Sequence, residues 1–372
     1  MKKITLFVVL ILVLSSCSAE NNTQPSLSGT ISEHSSAEQQ LTDEHEKICF
    51  DFIKNEMITQ QGGVRTNYLD TVHDENLATG AEVLSESMGL LMLYAVAAHD
   101  EALFKSSLDF VQENLDTGNI ISYRYSAESG SYHVNAFIDD IRIIRALILA
   151  DGVFNGKYRD IARKYSDRLY DTNVVDGIVF DMYDDANGIN NDFITLCYVD
   201  LYTMQLLKKY DARWDKVFSA MRDIVKQSYI SDDFPMYASS YSYASETYRN
   251  GDVNMVEATL TALNLARVDE CPQETIDYLK DSIKNGAIYG LYSYNGKKKS
   301  DIESTAIYAI CALIAKEAQD EDMYRLCIDK MKRFQVMDEK SEVYGAFADP
   351  VTLELYAFDN LMALLAYSQK VK

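Results

Sequence analysis

Glu86 is the acidic residue best placed for chemistry, because it opens a segment that is otherwise almost wholly apolar. Apolar side chains between Met88 and Ala98 would cover nearly the whole circumference of a helix, which is typical of a helix buried inside a domain. In the first turn of such a helix, desolvation raises the pKa of a carboxyl group, whereas the helix dipole and amide hydrogen bonds lower it. Either shift makes Glu86 a candidate general acid or base.

Other acidic residues stand near the starts of similar apolar segments. They follow Glu86 at intervals of 51 to 60 residues and are Asp140, Asp192, Asp252, Glu303 and Asp359. A repeat of about 50 residues is typical of stacked supersecondary units. If these units converge, one carboxylic acid can protonate a leaving oxygen while a second carboxylate acts on the opposite face of a sugar. Acidic residues are also frequent helix caps, and capping is the alternative role for each of them.

The elements that must position these acids are helices. Six predicted helices are dense in Ala, Leu, Ile, Met and Tyr, and they alternate with amphipathic ones, which indicates two concentric rings with the apolar set inside. We therefore predict an all-α (α/α)6 toroid that forms a single domain over residues 42–372. Apolar periodicity and helix-breaking residues place the twelve helices at about 42–57, 83–98, 100–115, 137–151, 156–171, 191–209, 212–228, 252–267, 272–285, 302–317, 320–334 and 357–370.

The connections between these helices alternate in length. An inner-to-outer link can be as short as His99-Asp100, whereas outer-to-inner links such as 58–82 and 229–251 are long. The long links should therefore lie at one end of the ring, together with the N-termini of the inner helices. We expect the cleft at this end.

The long links are rich in tyrosine, and Tyr132 and Tyr248 are two examples. Tyrosine combines a flat apolar ring with a hydroxyl group, which suits stacking on a sugar while hydrogen-bonding its hydroxyls. We expect both residues to contact a carbohydrate. Packing of the loops against the toroid is an equal alternative for each of them.

Composition argues against several classes of partner. Without Lys2 and Lys3, which lie in the predicted signal peptide, 35 − 2 = 33 basic residues face 57 acidic ones, a formal charge of −24. This charge opposes binding to nucleic acid or to an anionic membrane surface. The five histidines lack metal-ligand spacing, and no Gly-x-Ser-x-Gly or phosphate-binding glycine loop is present. We predict no metal, no cofactor and no nucleic-acid partner.

The N-terminus has the pattern of a bacterial lipoprotein signal. Lys2 and Lys3 precede an apolar run from Ile4 to Leu14, which is followed by a lipobox-like segment that ends at Cys17. The run is only about half of a roughly 20-residue membrane span. We predict a signal peptide at 1–16, a lipidated Cys17 with a flexible tether at 17–41, and a soluble body held outside the cytoplasm. The other five cysteines show no Cys-x-x-Cys spacing, and we expect buried thiols rather than disulfides.

Two segments resemble signatures of glycoside hydrolase family 8. Residues 85–93 (SESMGLLML) are similar to that family's SEGMGYGML stretch, and residues 136–147 (AFIDDIRIIRAL) are similar to its second signature, Ala-Ser/Thr-Asp-Ala/Gly-Asp followed by a helix. The resemblance implies an (α/α)6 fold, an inverting mechanism and Glu86 as the general acid. More narrowly, the chain resembles lipoproteins of this type that are linked to bacterial exopolysaccharide.

The departures from the family pattern concern the partner of Glu86. Ile138 stands where the family has its first Asp, which leaves Asp140 matched to the second Asp and Asp139 as a neighbouring substitute. The family's base usually opens a later inner helix, and residues 251–257 (GDVNMVE) fit that position best. We therefore predict Asp252 as the base, with Asp139 and Asp140 as contenders for that role or as substrate contacts.

The acids Glu303 and Asp359 are expected to cap helices or to contact sugar rather than to transfer protons. The resulting prediction is a lipid-anchored, extracytoplasmic and monomeric hydrolase that cleaves a polysaccharide, with a β-linked exopolysaccharide as the expected substrate. One alternative is a non-catalytic lipoprotein that binds polysaccharide during export, which the loss of an Asp at Ile138 favours. Another is a polysaccharide lyase on the same toroid, which would need Arg124, Arg142 or Arg249 to face the cleft.

Overall fold

The protein consists almost entirely of helices joined by short strands and loops. The computed structural model describes residues 31–70 and 80–371. Within these residues there are twelve α-helices, as predicted. They are α1 (Ile31–Phe52), α2 (Ser85–Ala97), α3 (Glu101–Phe110), α4 (Phe137–Val153), α5 (Arg159–Asn173), α6 (Leu201–Leu207), α7 (Arg213–Gln227), α8 (Met255–Ala266), α9 (Gln273–Asn285), α10 (Thr305–Glu317), α11 (Glu321–Lys332) and α12 (Ala357–Ser368).

The first helix is longer than predicted. Helix α1 begins at Ile31 rather than at about residue 42, and a π-helical turn at Ile53–Met57 extends it to the predicted end. Its early residues include good helix formers such as Ala, Glu and Gln, whose propensity favours a longer helix. The predicted signal peptide, Cys17 and the tether up to residue 30 lie outside the described residues.

The third inner helix is much shorter than predicted. Instead of a helix over 191–209, a strand and a 3-10 turn precede α6. Asp200 defines its start, because the carboxylate accepts hydrogen bonds from the Thr203 amide at 3.0 Å and the Thr203 hydroxyl at 2.6 Å. The same carboxylate pairs with Arg145 of α4 at 2.8 Å. Asp192, which was expected near this helix start, therefore lies in the preceding loop.

Six helices form the predicted inner ring. Helix α2 packs against α4 and α12, α10 packs against α12 and α8, and α6 with its 3-10 turn closes the ring between α4 and α8. Amphipathic helices, including α1, α3, α5, α7 and α11, cover the outside. Although the inner helices are apolar, no helix in the described residues is long and apolar enough to cross a membrane. The apolar side chains of the inner helices are buried between the inner and outer rings.

The short turns between inner and outer helices use a repeated local structure. The residues after α2 and α10, His99 and Gln319, have φ values of 56° and 55°, the left-handed conformation that commonly ends a helix. The next residue is an aspartate that caps the outer helix. Asp100 accepts a hydrogen bond from the Leu103 amide at 2.9 Å, and Asp320 caps α11 in the same way. These caps satisfy amides that would otherwise lack partners.

The long links form small antiparallel sheets at the opposite end. Strand β1 (Val83–Leu84) leads into α2 and pairs with β2 (Arg124–Ser126). Strand β8 (Phe193–Thr195) lies ahead of α6 and pairs with β11 (Ser240–Ser242), and β13 (Val253–Asn254) leads into α8 and pairs with β14 (Leu291–Tyr292). The N-termini of the inner helices therefore open onto the end that carries these sheets. The strands are β1 (Val83–Leu84), β2 (Arg124–Ser126), β3 (Gly130–Ser131), β4 (Val174–Val175), β5 (Ile178–Val179), β6 (Tyr183–Asp184), β7 (Ile189–Asn190), β8 (Phe193–Thr195), β9 (Tyr229–Ser231), β10 (Phe234–Tyr237), β11 (Ser240–Ser242), β12 (Thr247–Tyr248), β13 (Val253–Asn254) and β14 (Leu291–Tyr292).

All five described cysteines carry free thiols. Cys49, Cys197, Cys311 and Cys327 are buried, and Cys271 is partly buried. Burial raises the pKa of each of them above the ordinary thiol value. A thiol kept protonated in this way behaves as a small apolar side chain.

Loss of the Asp100 cap should destabilise the ring measurably. We expect Asp100→Ala to lower the free energy of unfolding by about 1 kcal/mol, because the Leu103 amide loses its acceptor. Asp100→Asn should retain most of the stability, since asparagine caps as well as aspartate. Chemical denaturation of the three proteins measures the difference, and equal stability of the Ala variant and the parent would contradict the capping role.

Candidate active site

The first turn of α2 is fixed by the strand that leads into it. Strand β1 pairs with β2, and the Ser85 amide donates to the Tyr123 carbonyl at 3.0 Å. Helix α2 then continues as a deeply buried helix of the ring, with every residue from Ser85 to Val96 buried. The N-terminus of α2 is thereby held at the end of the ring that carries the long links, which is where the sequence predicts a cleft.

Glu86 is buried at this helix start. Only 5% of the residue is exposed. Burial, together with the charges of Asp139 and Asp359, raises the pKa of Glu86 to about 8, while the Arg142 guanidinium opposes the shift. Glu86 therefore holds a proton near neutral pH, which is the state a general acid requires.

Asp139, in the first turn of α4, lies directly beside Glu86. Its Oδ2 accepts a hydrogen bond from the Ser85 hydroxyl at 2.9 Å, and its Oδ1 accepts one from Arg142 Nη1 at 2.8 Å. Burial raises the pKa of Asp139, while Arg142, Ser85 and the Glu86 amide favour its charged form. Both oxygens of Asp139 are thus occupied by neighbouring groups of the protein.

Gly89 allows α2 and α4 to approach closely enough for these contacts. A Cβ atom on Gly89 would lie 3.1 Å from Cδ of Arg142 and 3.4 Å from Cγ1 of Ile143. The first distance is tighter than an ordinary van der Waals contact. A larger residue here would crowd the Arg142 side chain, which pairs with Asp139.

Asp140 is turned away from this group. Its Oδ2 accepts a hydrogen bond from Asn135 Nδ2 at 2.8 Å, and its Oδ1 is buried without a partner among the described residues. Burial raises the pKa of Asp140 well above its ordinary value, and its other electrostatic neighbours include Arg168 and Asp116. The acid that the resemblance matched to the family signature therefore lies toward the outer ring, and the adjacent Asp139 contacts the first turn of α2.

Asp359 and Glu303 lie on the other side of Glu86, at the starts of α12 and α10. Asp359 Oδ1 accepts hydrogen bonds from the Ser304 hydroxyl and the Ala306 amide, both at 2.9 Å. This carboxylate therefore joins the N-termini of two inner helices. Glu303 precedes α10 and accepts a hydrogen bond from the Tyr308 hydroxyl.

Asp252, the predicted base, lies on the surface. Its side chain is 42% exposed, and both of its oxygens bind the Lys299 ammonium, at 2.8 and 2.9 Å. Helix α8 begins later than predicted because Asn254 is the N-cap, with its side chain accepting the Val256 amide at 2.9 Å. Asp252 therefore precedes the helix and stands apart from the group around Glu86.

The acid of α8 that enters the ring is Glu257. It lies in the first turn of α8 and is partly buried, and its carboxyl group has no hydrogen-bond partner among the described residues. Burial raises the pKa of Glu257 to about 7, and the charge of Arg249 opposes the shift. The spacing of Asn254 and Glu257, an N-cap residue followed three positions later by Glu, is a known helix-start signal and could have identified this residue.

Asp181 is a second buried acid that the sequence analysis missed. It accepts hydrogen bonds from the amide and the hydroxyl of Thr195, both at 2.6 Å. Burial raises the pKa of Asp181 to about 7, these two hydrogen bonds lower it, and the charge of Glu257 raises it. Asp181 lies in a long link with no helix periodicity around it, so no pattern singled it out.

Tyr198 connects the two sides of the site electrostatically. Burial and the charges of Asp181, Asp139 and Glu86 raise the pKa of this hydroxyl. Burial and the charges of Glu257 and Asp181 raise the pKa of the thiol of its neighbour Cys197. In the order of the ring, α8 stands opposite α2, because α4 and α12 flank α2 while α6 and α10 flank α8. Glu86 and Glu257 thus stand in the first turns of opposite inner helices, whose N-termini lie at the same end of the ring.

The two candidate sugar-contacting tyrosines take part in loop packing. The Tyr248 hydroxyl donates to the Ile224 carbonyl of α7 at 2.7 Å. The Tyr132 ring lies under the guanidinium of Arg124, 4.8 Å from its centroid. Both residues hold long links in place, which is the alternative role given to them above. Among the described residues, no group of three or more His, Cys, Asp or Glu is arranged to hold a metal ion.

Comparisons with known proteins relate this arrangement to glycosidases. The structure of a novel alpha-amylase from Clostridium perfringens is similar with a TM-score of 0.82 and 34% identity, over 87% of this chain and 97% of that one. A cold-adapted family 8 xylanase solved with its substrate has a TM-score of 0.64 and 12% identity, over 90% of each chain. YdaJ, a candidate lipoprotein of Bacillus subtilis (strain 168), is 25% identical over 321 residues, 85% of this chain and 84% of YdaJ. No model of a protein family matches the chain.

Neutralising Asp139 should lower the pKa of Glu86. Asp139→Asn removes the nearest negative charge and frees Arg142, and both changes favour the ionised form of Glu86. A titration of the Glu86 carboxyl carbon by NMR, with glutamate labelled and Glu86→Gln used for assignment, measures the shift. Asp252→Asn is the matched control and should leave the titration unchanged. An unchanged or raised pKa in Asp139→Asn would contradict the coupling.

Proposed function

The chain belongs to the family 8-like glycosidases, and we propose that it hydrolyses a polysaccharide with inversion at the anomeric carbon. In this proposal Glu86 is the general acid and Glu257 is the general base. Glu257 takes the place that the sequence analysis gave to Asp252.

One observation carries this assignment. Two carboxyl groups in the first turns of opposite inner helices, α2 and α8, face the same end of the ring, and burial raises the pKa of both. An inverting enzyme needs two carboxyl groups on opposite faces of a sugar, with room between them for a water molecule. Asp252 cannot supply the second group in this conformation, because Lys299 binds both of its oxygens outside the ring.

The chemistry follows from the protonation states of the two groups. Glu86, whose pKa lies above that of Glu257, gives its proton to the glycosidic oxygen as the bond to the anomeric carbon breaks. Glu257, in its ionised form, takes a proton from water as the water oxygen attacks the same carbon from the opposite face. The products are two shorter sugars, and the net reaction consumes one water molecule.

Asp139 has a different role in this proposal. Its two oxygens are engaged by Ser85 and Arg142, so it is poorly placed to accept a proton from water. Its charge instead favours the protonated state of Glu86. We propose that Asp139 positions and tunes the acid and that Asp140 has a structural role.

The linkage of the substrate is a separate question with two candidates. The relative with 34% identity is an alpha-amylase, which supports an α-linked glucan. The resemblance to family 8 supports the β-linked polysaccharide predicted from the sequence. Release of reducing ends from amylose, β-glucan, xylan and purified bacterial exopolysaccharide would separate these candidates.

Neither alternative class has comparable support. A non-catalytic binder has no need of an acid kept protonated beside an ion pair. A lyase needs an arginine free to hold a uronic acid, yet Arg142 is paired with Asp139 and Arg124 with Glu82. Arg249 is the remaining candidate, and its charge acts on Glu257.

We also propose that Cys17 is lipidated after removal of residues 1–16 and anchors the enzyme outside the cytoplasm, as its resemblance to YdaJ supports. Cys17→Ser should abolish incorporation of labelled fatty acid and move the protein from the membrane fraction to the medium. Cys271→Ser, at a partly buried thiol, is the control and should stay in the membrane fraction. Fatty-acid labelling of the Cys17→Ser protein would refute the anchor.

Loss of either carboxyl group should abolish turnover of the substrate. We expect Glu86→Gln and Glu257→Gln each to lower kcat by about 10²- to 10⁴-fold, because each removes one proton transfer. Asp252→Asn should retain activity within about threefold, since the surface ion pair it breaks is worth little. NMR of the first products formed should show the inverted anomer. Full activity of Glu257→Gln, or loss of activity in Asp252→Asn, would favour Asp252 as the base over Glu257.

The pH dependence should reflect the two shifted pKa values. Activity requires ionised Glu257, so kcat/KM should rise as the pH increases through about 7. It also requires protonated Glu86, so kcat/KM should fall as the pH increases through about 8. The profile is therefore expected to be narrow and centred between these values. A broad optimum below pH 5 would show that neither carboxyl group titrates in the catalytic step.

A further inference from the structure

A buried polar contact joins the start of α4 to α5, and the mechanism above does not use it. Asp140 Oδ1, Arg168 Nε and Arg168 Nη2 are buried and have no hydrogen-bond partner in the described part of the chain. They make up three of the five buried side-chain nitrogen and oxygen atoms that lack a partner among the described residues. Buried polar atoms in folded proteins nearly always have partners, so this concentration on two residues points to a group that completes them.

Neighbouring side chains hold Asp140 close to Arg168. Asn135 Nδ2 donates to Asp140 Oδ2 and to Asn173 Oδ1, both at 2.8 Å. Thr172, one turn after Arg168 in α5, donates its hydroxyl to the same Asn173 oxygen at 2.8 Å. Burial raises the pKa of Asp140, and the charge of Arg168 opposes that shift, so the two groups are close enough to interact. The unpartnered atoms therefore belong to neighbouring side chains on two helices that pack together.

Arg168 binds the protein through a single guanidinium nitrogen. Its Nη1 donates to Asp116 Oδ1 and to the Gly118 carbonyl, both at 2.7 Å, and its guanidinium carbon lies 4.7 Å from the centroid of the Tyr165 ring. The planar group places Nε and Nη2 side by side on another edge, as a fork of parallel donors. Arg168 is therefore fixed in place with this fork directed to a further acceptor.

The opposite requirements of these atoms define the group that completes them. Arg168 offers donors, whereas Asp140 Oδ1 is an acceptor when the carboxyl group is ionised. An anion accepts from Arg168 but cannot donate to Asp140, and an ammonium group donates to Asp140 but cannot accept from Arg168. Water does both, and a buried water typically makes about three hydrogen bonds to polar groups. Water also suits a protonated Asp140, because its oxygen accepts a hydrogen bond from the carboxyl group.

We propose that an internal water molecule bridges Asp140 Oδ1 and the Nε and Nη2 fork of Arg168, and that this bridge makes Asp140 a positioning residue for the acid site. The inference rests on the proposed function in one respect, because it takes Glu86 as the acid. The presence of the bridge itself is independent of that assignment.

The positioning role follows from the place of Asp140 next to Asp139 in the first turn of α4. Asp139 binds this turn to α2 through Ser85. Asp140 binds it to Asn135 and, through the water, to α5. The two carboxyl groups thus hold the turn from two sides. The bridge keeps Asp139 in the position from which its charge acts on Glu86.

A high-resolution crystal structure of the protein tests the bridge directly. We expect a water molecule about 2.7 to 3.2 Å from Asp140 Oδ1 and from Nε or Nη2 of Arg168. A direct hydrogen bond between the two side chains, or no water within that distance of both, would overturn the bridge. Crystals grown with bromide distinguish water from an anion, because bromide gives an anomalous signal. Such a signal at this position would also overturn it.

Arg168→Lys tests the positioning role, because lysine keeps a positive charge beside Asp116 but lacks the donor fork. We expect kcat to fall about tenfold while KM stays within about twofold, since a small displacement of a catalytic group slows the reaction more than it weakens binding. Arg163→Lys is the matched control, because Arg163 lies in the same helix and is exposed, and it should leave both constants unchanged. An unchanged kcat in Arg168→Lys would overturn the positioning role.

The titration of Glu86 separates positioning from a general loss of stability. Burial and the charge of Asp139 raise the pKa of Glu86, Arg142 opposes the shift, and Asp359 on α12 supports it. A loosened first turn of α4 admits water and weakens the effect of Asp139. The Glu86 carboxyl carbon, followed by NMR, should therefore titrate at lower pH in Arg168→Lys than in the parent. A less stable protein with an unchanged titration would overturn the inference.

Two substitutions of Asp140 distinguish positioning from proton transfer. Asp140→Leu removes both carboxyl oxygens and should lower kcat about tenfold. Asp140→Asn keeps an acceptor for Asn135 and a donor for the water, so it should recover most of that loss. An Asp140→Asn protein as inactive as Glu86→Gln would show that the carboxyl group transfers a proton and would overturn the positioning role. If Asp140→Leu does not fold, Asp140→Asn and Arg168→Lys decide.

The water and the titration of Glu86 are measured without turnover, so this inference and the proposed function can fail separately. If the water bridges the two side chains and Arg168→Lys lowers the pKa of Glu86, but no polysaccharide is hydrolysed, the inference stands and the proposed function falls. If hydrolysis requires Glu86 but Arg168→Lys changes neither kcat nor the titration, the inference falls and the proposed function stands.

Discussion

The hydrogen bonds of the Asp139 carboxylate join the first turn of α2 to α4, and the state of Glu86 depends on that junction. One oxygen of Asp139 accepts the Ser85 hydroxyl and the other accepts Arg142. Burying a carboxylate is costly unless it is paired and hydrogen-bonded, and here the pairing is complete. The Arg142 guanidinium is paired with Asp139. Glu86 beside it therefore has no cation of its own and retains its proton. The proximity of the two helices, permitted by Gly89, is what makes the arrangement possible.

Closure of the ring gives the first turns of the other inner helices a similar position. Each inner helix presents its N-terminus to the same end, and the partial positive charge of those N-termini favours acidic side chains there. Asp359 illustrates the effect, because it accepts the Ala306 amide at the start of α10 while belonging to α12. The opposite end has left-handed residues and aspartate caps in its short turns. The asymmetry of the links therefore decides which end can carry chemistry.

The short helix α6 shows that a repeat need not be regular to close a ring. Asp200 begins the helix late and pairs with Arg145 inside the toroid, and the residues before it form β8 and a 3-10 turn. This irregular segment brings Cys197 and Tyr198 between the two sides of the candidate site. It also brings Thr195 to Asp181, so a buried acid that belongs to no helix reaches the neighbourhood of Glu257.

The sequence alone determined the twelve helices, their alternation, and Glu86 as the acid at the start of a buried helix, because apolar periodicity and composition are local properties. It also contained the helix-start pattern of Asn254 and Glu257, although the acid spacing and the position of the family's base pointed to Asp252. Only the tertiary structure distinguishes the surroundings of those two acids, since β13 pairs with β14 and leaves Asp252 beside Lys299, whereas Glu257 lies in the first turn of α8 after the Asn254 cap. The same holds for Asp139 and Asp140, which are adjacent in sequence but point toward different neighbours. Which neighbours two adjacent carboxyl groups meet is set by the packing of helices distant in the chain, and no local pattern encodes that.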